Sequence, residues 1–389
     1  MAIALILFLL LFPIGQLGRA LLGSGIYLNF QEVVLGMGFL TSLLVYPKIL
    51  KYLLNQPLLR SILAFILFST LSLILNPLHL NASEWITSSL YLIRFVLYMW
   101  VYIAAKILIK TQPELKLPML TSLFFAGVAI SLFGLIQYFL YPNLRNLYYL
   151  GWDPHEYRLF STLLDPNFTG IILLLTIYLG DKLYKRNIIV IIGIIVCLVA
   201  FMLTYSRSSY IALFLSLPFI LYNQVSWKII ASIYFFIIVS IFLLPRPFGE
   251  GVKLERTSTL SSRVESYRQS IEIIQKYPIF GVGFNAVRYA KRAMGFLPEV
   301  NWQDDHAGSG VDNSFLFSWI TSGVGGIVSL VGFFFIVLKV AYRKLTLKNT
   351  SSRMIIASTV AIIIHSQFVN SLFFPWVMGW YFLLLGLLD

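Results

Sequence analysis

The sequence predicts an all-α fold: a polytopic transmembrane helical bundle of about twelve spans, with one long loop on one face of the membrane. Three observations carry this. The 389 residues are 59% hydrophobic and only 12% charged, whereas roughly a quarter of the residues of a soluble domain are charged. The apolar residues fall into runs of about 20, the length at which a helix crosses the hydrocarbon core. One long hydrophilic stretch, residues 257–313, interrupts these runs.

Taken in order, the spans lie near residues 2–22, 26–46, 58–76, 86–109, 118–141, 162–180, 188–204, 208–223, 227–245, 313–338, 354–370 and 372–388. The chain reads as a single membrane domain, 1–389, with residues 246–312 forming a loop between the ninth and tenth spans. The first segment has no basic start and no small-residue cleavage site, so it is expected to be a retained span. The lone cysteine, Cys197, excludes an internal disulfide.

Basic residues orient the bundle. With the N-terminus inside, the even-numbered connections hold 15 of them: Lys48, Lys51, Arg60, Lys106, Lys110, Lys116, Lys182, Lys185, Arg186, Lys228, Lys339, Arg343, Lys344, Lys348 and Arg353. The short odd-numbered connections hold four, Arg19, Arg145, Arg158 and Arg207. Short loops rich in Lys and Arg stay cytoplasmic, so both termini are expected inside and the long loop is expected to be periplasmic. The net charge of +13 therefore has a topological cause, and nucleic acid is not a partner. The polar motifs gather on the outer face, where a reaction has no ATP and needs a pre-activated donor.

Within the long stretch, residues 262–278 have helical period. Val264, Tyr267, Ile271, Ile274 and Pro278 fall on one stripe, and Arg268, Glu272 and Lys276 form an i, i+4 ladder on another. This is an amphipathic helix expected to lie flat on apolar surface. Gly281 and Gly283 then mark a turn before a second basic segment with Arg288, Lys291 and Arg292. They do not mark a nucleotide site, because a helix, not a strand, precedes them.

Several residues carry chemistry or a plainer role. Arg207, between two spans, either binds an anionic headgroup through its bidentate fork or anchors a hairpin by snorkelling. Arg263, after a Ser/Thr-rich helix start, either completes an anion site at the helix N-terminus or pairs with Glu265 or Glu255. Asp312 and Asn313 either cap the following span or serve as proton acceptor and sugar ligand. Asp165-Pro166-Asn167 is a turn and cap signature, and Arg158 before it is a third phosphate ligand. Asp304, Asp305 and His306 are adjacent and cannot all face one ion, so no metal is expected. Arg94, Glu32 and His365 lie within spans as buried polar partners. Asn81-Ala82-Ser83 matches a glycosylation acceptor only by chance.

In this order the motifs carry a resemblance. Arg158 with Asp165-Pro166-Asn167, Ser206-Arg207 between spans, Arg263 with Tyr277-Pro278-Ile279-Phe280-Gly281-Val282-Gly283, Asp312-Asn313-Ser314-Phe315-Leu316, a span with Gly323, Gly325 and Gly326, and Asn370-Ser371-Leu372-Phe373-Phe374-Pro375 resemble the O-antigen ligase and polymerase superfamily. The resemblance covers about residues 158–375. It implies a GT-C-like membrane-embedded glycosyltransferase that takes a glycan from an undecaprenyl diphosphate carrier. The acceptor is another lipid-linked glycan in a polymerase, or a lipid A core sugar in a ligase.

Ligases of this kind carry a histidine where this chain has Asp312, which tilts the reading towards a polymerase. On that reading Asp312 is the base, and Arg207 and Arg263 stabilise the departing diphosphate. Arg158, Asn167, Arg268 and Asn313 bind substrate. The reaction inverts the anomeric centre and uses no metal or other cofactor. The partners are the undecaprenyl diphosphate-linked oligosaccharide, membrane lipids and polysaccharide assembly proteins such as a chain-length regulator. Two other readings stand beside it. A transporter or flippase would show a repeat between the halves, and none is visible. A scaffold without activity would tolerate loss of Arg207 or Arg263.

Overall fold

The computed structural model describes the chain except for residues 24–25, 46–55, 151, 185–186, 246–251, 254–257, 299–309, 346–348 and 389. The described residues are mostly helical: α1 (Ala2–Leu11), α2 (Phe30–Val45), α3 (Pro57–Ile74), α4 (Ala82–Thr111), α5 (Lys116–Leu140), α6 (Pro166–Leu183) and α7 (Ile188–Met202). They continue with α8 (Arg207–Ile220), α9 (Trp227–Leu243), α10 (Ser258–Lys276), α11 (Val287–Ala293), α12 (Ser314–Arg343), α13 (Thr350–His365) and α14 (Pro375–Leu388).

Among the described residues, four helices are long and apolar enough to cross a membrane, Pro57–Ile74, Ala82–Thr111, Pro113–Leu140 and Ser314–Arg343, and seven apolar helices are shorter. Their outward faces need lipid. On α9 only Ile241 is buried, while Phe235, Phe236 and Phe242 are each about 70% exposed, a surface that water would not tolerate. The chain is a multi-pass membrane protein.

The centre is α14. Every one of its side chains is buried, as suits a helix that is hydrophobic all round. It lies against α4, and Trp376 Nε1 donates to the Phe12 carbonyl at 3.1 Å. Within the membrane, Arg94 Nε meets Glu32 Oε1 at 2.7 Å, which pairs two of the buried charges singled out above.

The start of the chain differs from the expected spans. Residues 2–22 are not one helix: α1 ends at Leu11, a 3-10 turn covers Phe12–Gly18, and a two-stranded antiparallel hairpin joins Arg19–Gly23 to Ile26–Asn29. Pro13 has no amide to continue the helix, and Thr162 Oγ1 donates to the Pro13 carbonyl at 2.8 Å, fixing the break.

Two ends of the bundle follow from the helix order. The α5–α6 and α7–α8 connections meet where the Leu159 amide donates to Leu203 O at 2.9 Å, and the Ser314 amide reaches Ser366 O at 2.9 Å nearby in the helix order. At the opposite end Lys182 Nζ donates to Ser351 Oγ at 2.6 Å, joining α6 to α13. The first end holds the site.

Candidate active site

Helix starts build the framework. Asp165 caps α6, accepting from the amides of Asn167 at 2.6 Å and Phe168 at 3.1 Å, and Pro166 follows at the first helical position, where its missing amide costs nothing. Ser206 caps α8 and donates to Asn167 Oδ1 at 2.9 Å, so the two helix starts are joined. Arg158 is buried beneath them. Its Nε donates to Thr204 O at 2.9 Å, and its Nη2 reaches Tyr205 O at 3.4 Å and Asn167 Oδ1 at 3.5 Å. These bonds clip the α7–α8 turn onto the start of α6.

Arg207, the first residue of α8, and Arg263 on α10 line one cleft of about 260 Å³, together with Ser208, Ile211, Val264, Tyr267 and Phe368. Arg207 is partly buried there and feels the charge of Arg263. Two like charges at one cleft oppose each other and favour an anion between them. Arg263 Nε is also buried without a hydrogen-bond partner among the described residues.

Asn313 caps α12, accepting from the amides of Phe315 at 2.8 Å and Leu316 at 3.1 Å. Its amide group donates to Gln367 Oε1 at 3.2 Å and Gln367 O at 3.3 Å. The same Gln367 carbonyl accepts from the Tyr267 hydroxyl, which ties α10 to the α12 cap. Asp312 is exposed as a residue, yet the protein crowded around its carboxyl raises the pKa, with Arg263 and Lys291 pulling it down and Asp165 and Asp153 adding to the rise. Asp312 thus feels Arg263 and Asp165 without lining the cleft itself.

Residues 192–331 match the family model described as O-antigen ligase. No curated protein matches the chain. The match supports the O-antigen ligase and polymerase superfamily for this chain, and broadly a glycosyltransferase-like activity on lipid-linked polysaccharide. The matched segment takes in Arg207, Arg263, Arg268, Asp312 and Asn313, whereas Arg158 and Asn167 precede it and His365 follows it.

A break in α12, within the matched segment, holds the loop in place. Helix α12 is broken at Gly323, where φ is +64°. Residues 278–283 fill the break: the Val282 amide donates to Ile320 O at 2.8 Å, and the Val324 amide reaches Pro278 O at 3.1 Å. Gly281, at φ +74°, leaves no room for a side chain, since a Cβ would stand 2.4 Å from Ile320 O. Ser72 of α3 completes the joint, accepting from the Gly283 amide at 2.9 Å and donating to Thr321 O at 2.7 Å. The GVG turn is therefore a docking joint for the long loop.

The amphipathic helix α10 is present, and of its expected stripe Ile274 is buried and Tyr267 is bonded to Gln367 O. Ser270, Ile273 and Ile274 are buried, while Val264 and Ile271 are exposed. Tyr267, which the stripe included, faces Gln367. Arg268 stands on the exposed side, 2.6 Å from Glu265 and 2.9 Å from Glu272, and does not line the cleft. Asp304, Asp305 and His306 lie outside the described residues. Asn81 is an N-cap in a reciprocal box with Glu84.

Other residues of the site gave weaker signals. His365 is fully buried, with Nε2 3.1 Å from Ser208 Oγ and 3.2 Å from Ser209 Oγ and Nδ1 2.6 Å from Ser371 Oγ, so it braces the first turn of α8 beside Arg207. Its only signal was a histidine inside a span. Lys291 is buried, with Nζ donating to Gly310 O at 3.0 Å just before Asp312. Gln367 had no signal, because its role rests on its backbone carbonyl as much as its side chain.

Proposed function

We propose that this protein is an O-antigen-type polysaccharide polymerase of the bacterial inner membrane. It transfers a glycan from an undecaprenyl diphosphate carrier to a lipid-linked acceptor glycan on the periplasmic side. The observation that supports this most is the shared cleft of Arg207 and Arg263, two guanidinium groups from distant parts of the chain at one end of the bundle. A diphosphate leaving group carries its charge into the transition state, and fixed guanidinium groups in a water-poor site stabilise it there.

The acceptor hydroxyl attacks the anomeric carbon on the face opposite the diphosphate. Its proton passes to the Asp312 carboxylate, the new C–O bond forms, and the bond to the diphosphate oxygen breaks with its electron pair leaving on the diphosphate. Attack from the opposite face inverts the anomeric centre. The arginines supply the positive charge that a metal supplies elsewhere, so the reading is metal-independent. The lipid tail enters sideways between helices, with α10 over the cleft.

Ligase is the second reading, and the family description favours it; Asp312 in front of Asn313 favours polymerase. The product decides. Purified protein given a polyprenyl diphosphate-linked glycan is expected to lengthen the glycan on the carrier. Transfer only to a lipid A core acceptor would make it a ligase. Transfer to neither acceptor by folded protein overturns both.

A further inference from the structure

Beneath the arginine cleft, one nitrogen of His365 faces two hydroxyl groups. The Ser371 hydroxyl donates to Val369 O at 3.3 Å, and a hydroxyl has a single hydrogen to give. Ser371 Oγ therefore accepts from His365 Nδ1, 2.6 Å away, which leaves Nε2 as the accepting end of the ring. Nε2 lies 3.1 Å from Ser208 Oγ and 3.2 Å from Ser209 Oγ. Its one lone pair takes one hydrogen, so the two serines compete for it. Ser206 Oγ stands 3.1 Å from Ser208 Oγ and 2.9 Å from Ser209 Oγ and gives its own hydrogen to Asn167 Oδ1 at 2.9 Å. While Ser208 holds Nε2, Ser209 donates to Ser206 Oγ. Once Ser209 turns to Nε2, the hydrogen of Ser208 is released. All four side chains are buried, and of the four it is Ser208 that lines the cleft with Arg207 and Arg263.

We propose that the Ser208 hydroxyl is a further ligand of the diphosphate between Arg207 and Arg263, released to it by an exchange in which Ser209 takes over His365 Nε2. This role rests on the diphosphate reading of the cleft. Without Ser209, turning Ser208 to the anion would strand Nε2 as a buried acceptor, and a buried polar group left without its bond opposes the change. With two hydroxyls at nearly equal reach, every buried group stays paired, and the anion gains a charge-assisted hydrogen bond. Ser209 and His365 are positioning residues here: neither lines the cleft, and both act through Ser208.

The test is calorimetric binding of farnesyl diphosphate to the purified full-length protein in detergent. Ser208→Ala is expected to weaken binding by about tenfold or more, as loss of a hydrogen bond to a charged group does, at a melting temperature near wild type. Ser209→Ala is expected to weaken it by about fivefold or more, through the acceptor left unpaired. In the Ser208→Ala background the same change is expected to add less than about twofold, because no hydrogen remains to be released. A merely structural Ser209 would give the same loss in both backgrounds. In protein labelled with ¹⁵N-histidine, the signal that His365→Gln removes is expected to show a protonated Nδ1 and a bare Nε2, with and without farnesyl diphosphate. If Arg207→Ala loses binding while Ser208→Ala or Ser209→Ala keeps it, if the two serine losses multiply, or if Nε2 is protonated, the role of Ser208 is overturned and the diphosphate reading stands. Binding indifferent to Arg207→Ala overturns both.

Discussion

The Val282 amide donates to the Ile320 carbonyl at 2.8 Å, so the long loop is hydrogen-bonded into the break of a membrane helix. A broken helix leaves backbone groups unpaired, and in hydrocarbon each of these costs several kcal/mol. The segment 278–283 pairs them, which makes the break and the loop one structural unit.

Gly323→Ala is therefore expected to destabilise the protein by about 1–3 kcal/mol, the usual size of backbone strain at one residue. The positive φ is one cause, and the carbonyl of Ile279 in the space of the new Cβ is the other. Thermal unfolding in detergent reads the loss. A variant as stable as the wild type would mean that the joint can rearrange without cost.

Arg207→Ala and Arg263→Ala are each expected to lower transfer by about 10²-fold or more, as loss of one preorganised donor does, with expression and melting temperature near wild type. Arg268→Ala, on the exposed face between Glu265 and Glu272, is expected to keep most of the activity. Steady-state rates on purified protein separate the three.

Asp312 sets the acid limb of the reaction if it is the base. A base acts ionised, so the rate rises with pH as the carboxyl loses its proton. Crowding raises that pKa, so the limb is expected above the ordinary aspartate value of about 3.9. Arg263 favours the carboxylate, so in the residual activity of Arg263→Gln the limb moves to higher pH. Asp312→Asn is expected to abolish the limb and lower the rate by about 10²–10⁴-fold. An unchanged pH profile in Asp312→Asn removes the residue from proton transfer.

Arg158 is expected to act differently from Arg207. Its guanidinium donates to the carbonyls of Thr204 and Tyr205, and Arg158→Ala leaves buried acceptors unpaired at a cost of about 1–3 kcal/mol each. The melting temperature should fall together with activity. A variant that lost transfer at an unchanged melting temperature would instead mark Arg158 as a phosphate ligand.

Much of this was legible in the sequence because the lipid environment simplifies it. Long apolar runs become helices, and Asp165, Ser206 and Asn313 cap helices as their residue types dictate. The hairpin at Arg19–Asn29 was not legible, because its apolar residues read equally as helix or strand. On α10 the buried Ser270, its hydroxyl bonded within the helix to Ser266 O, is a position that an apolar stripe does not mark. His365 and Gln367 act through tertiary partners on α8 and α12, and no local pattern records such pairings.

The most direct measurement is a double-mutant cycle on Arg207 and Arg263, reading transfer from a polyprenyl diphosphate-linked glycan by purified protein. If both side chains hold one diphosphate, their effects couple, and the double variant loses far less than the product of the two single losses. Independent, multiplicative losses, or full activity in either single variant, would contradict a shared diphosphate site.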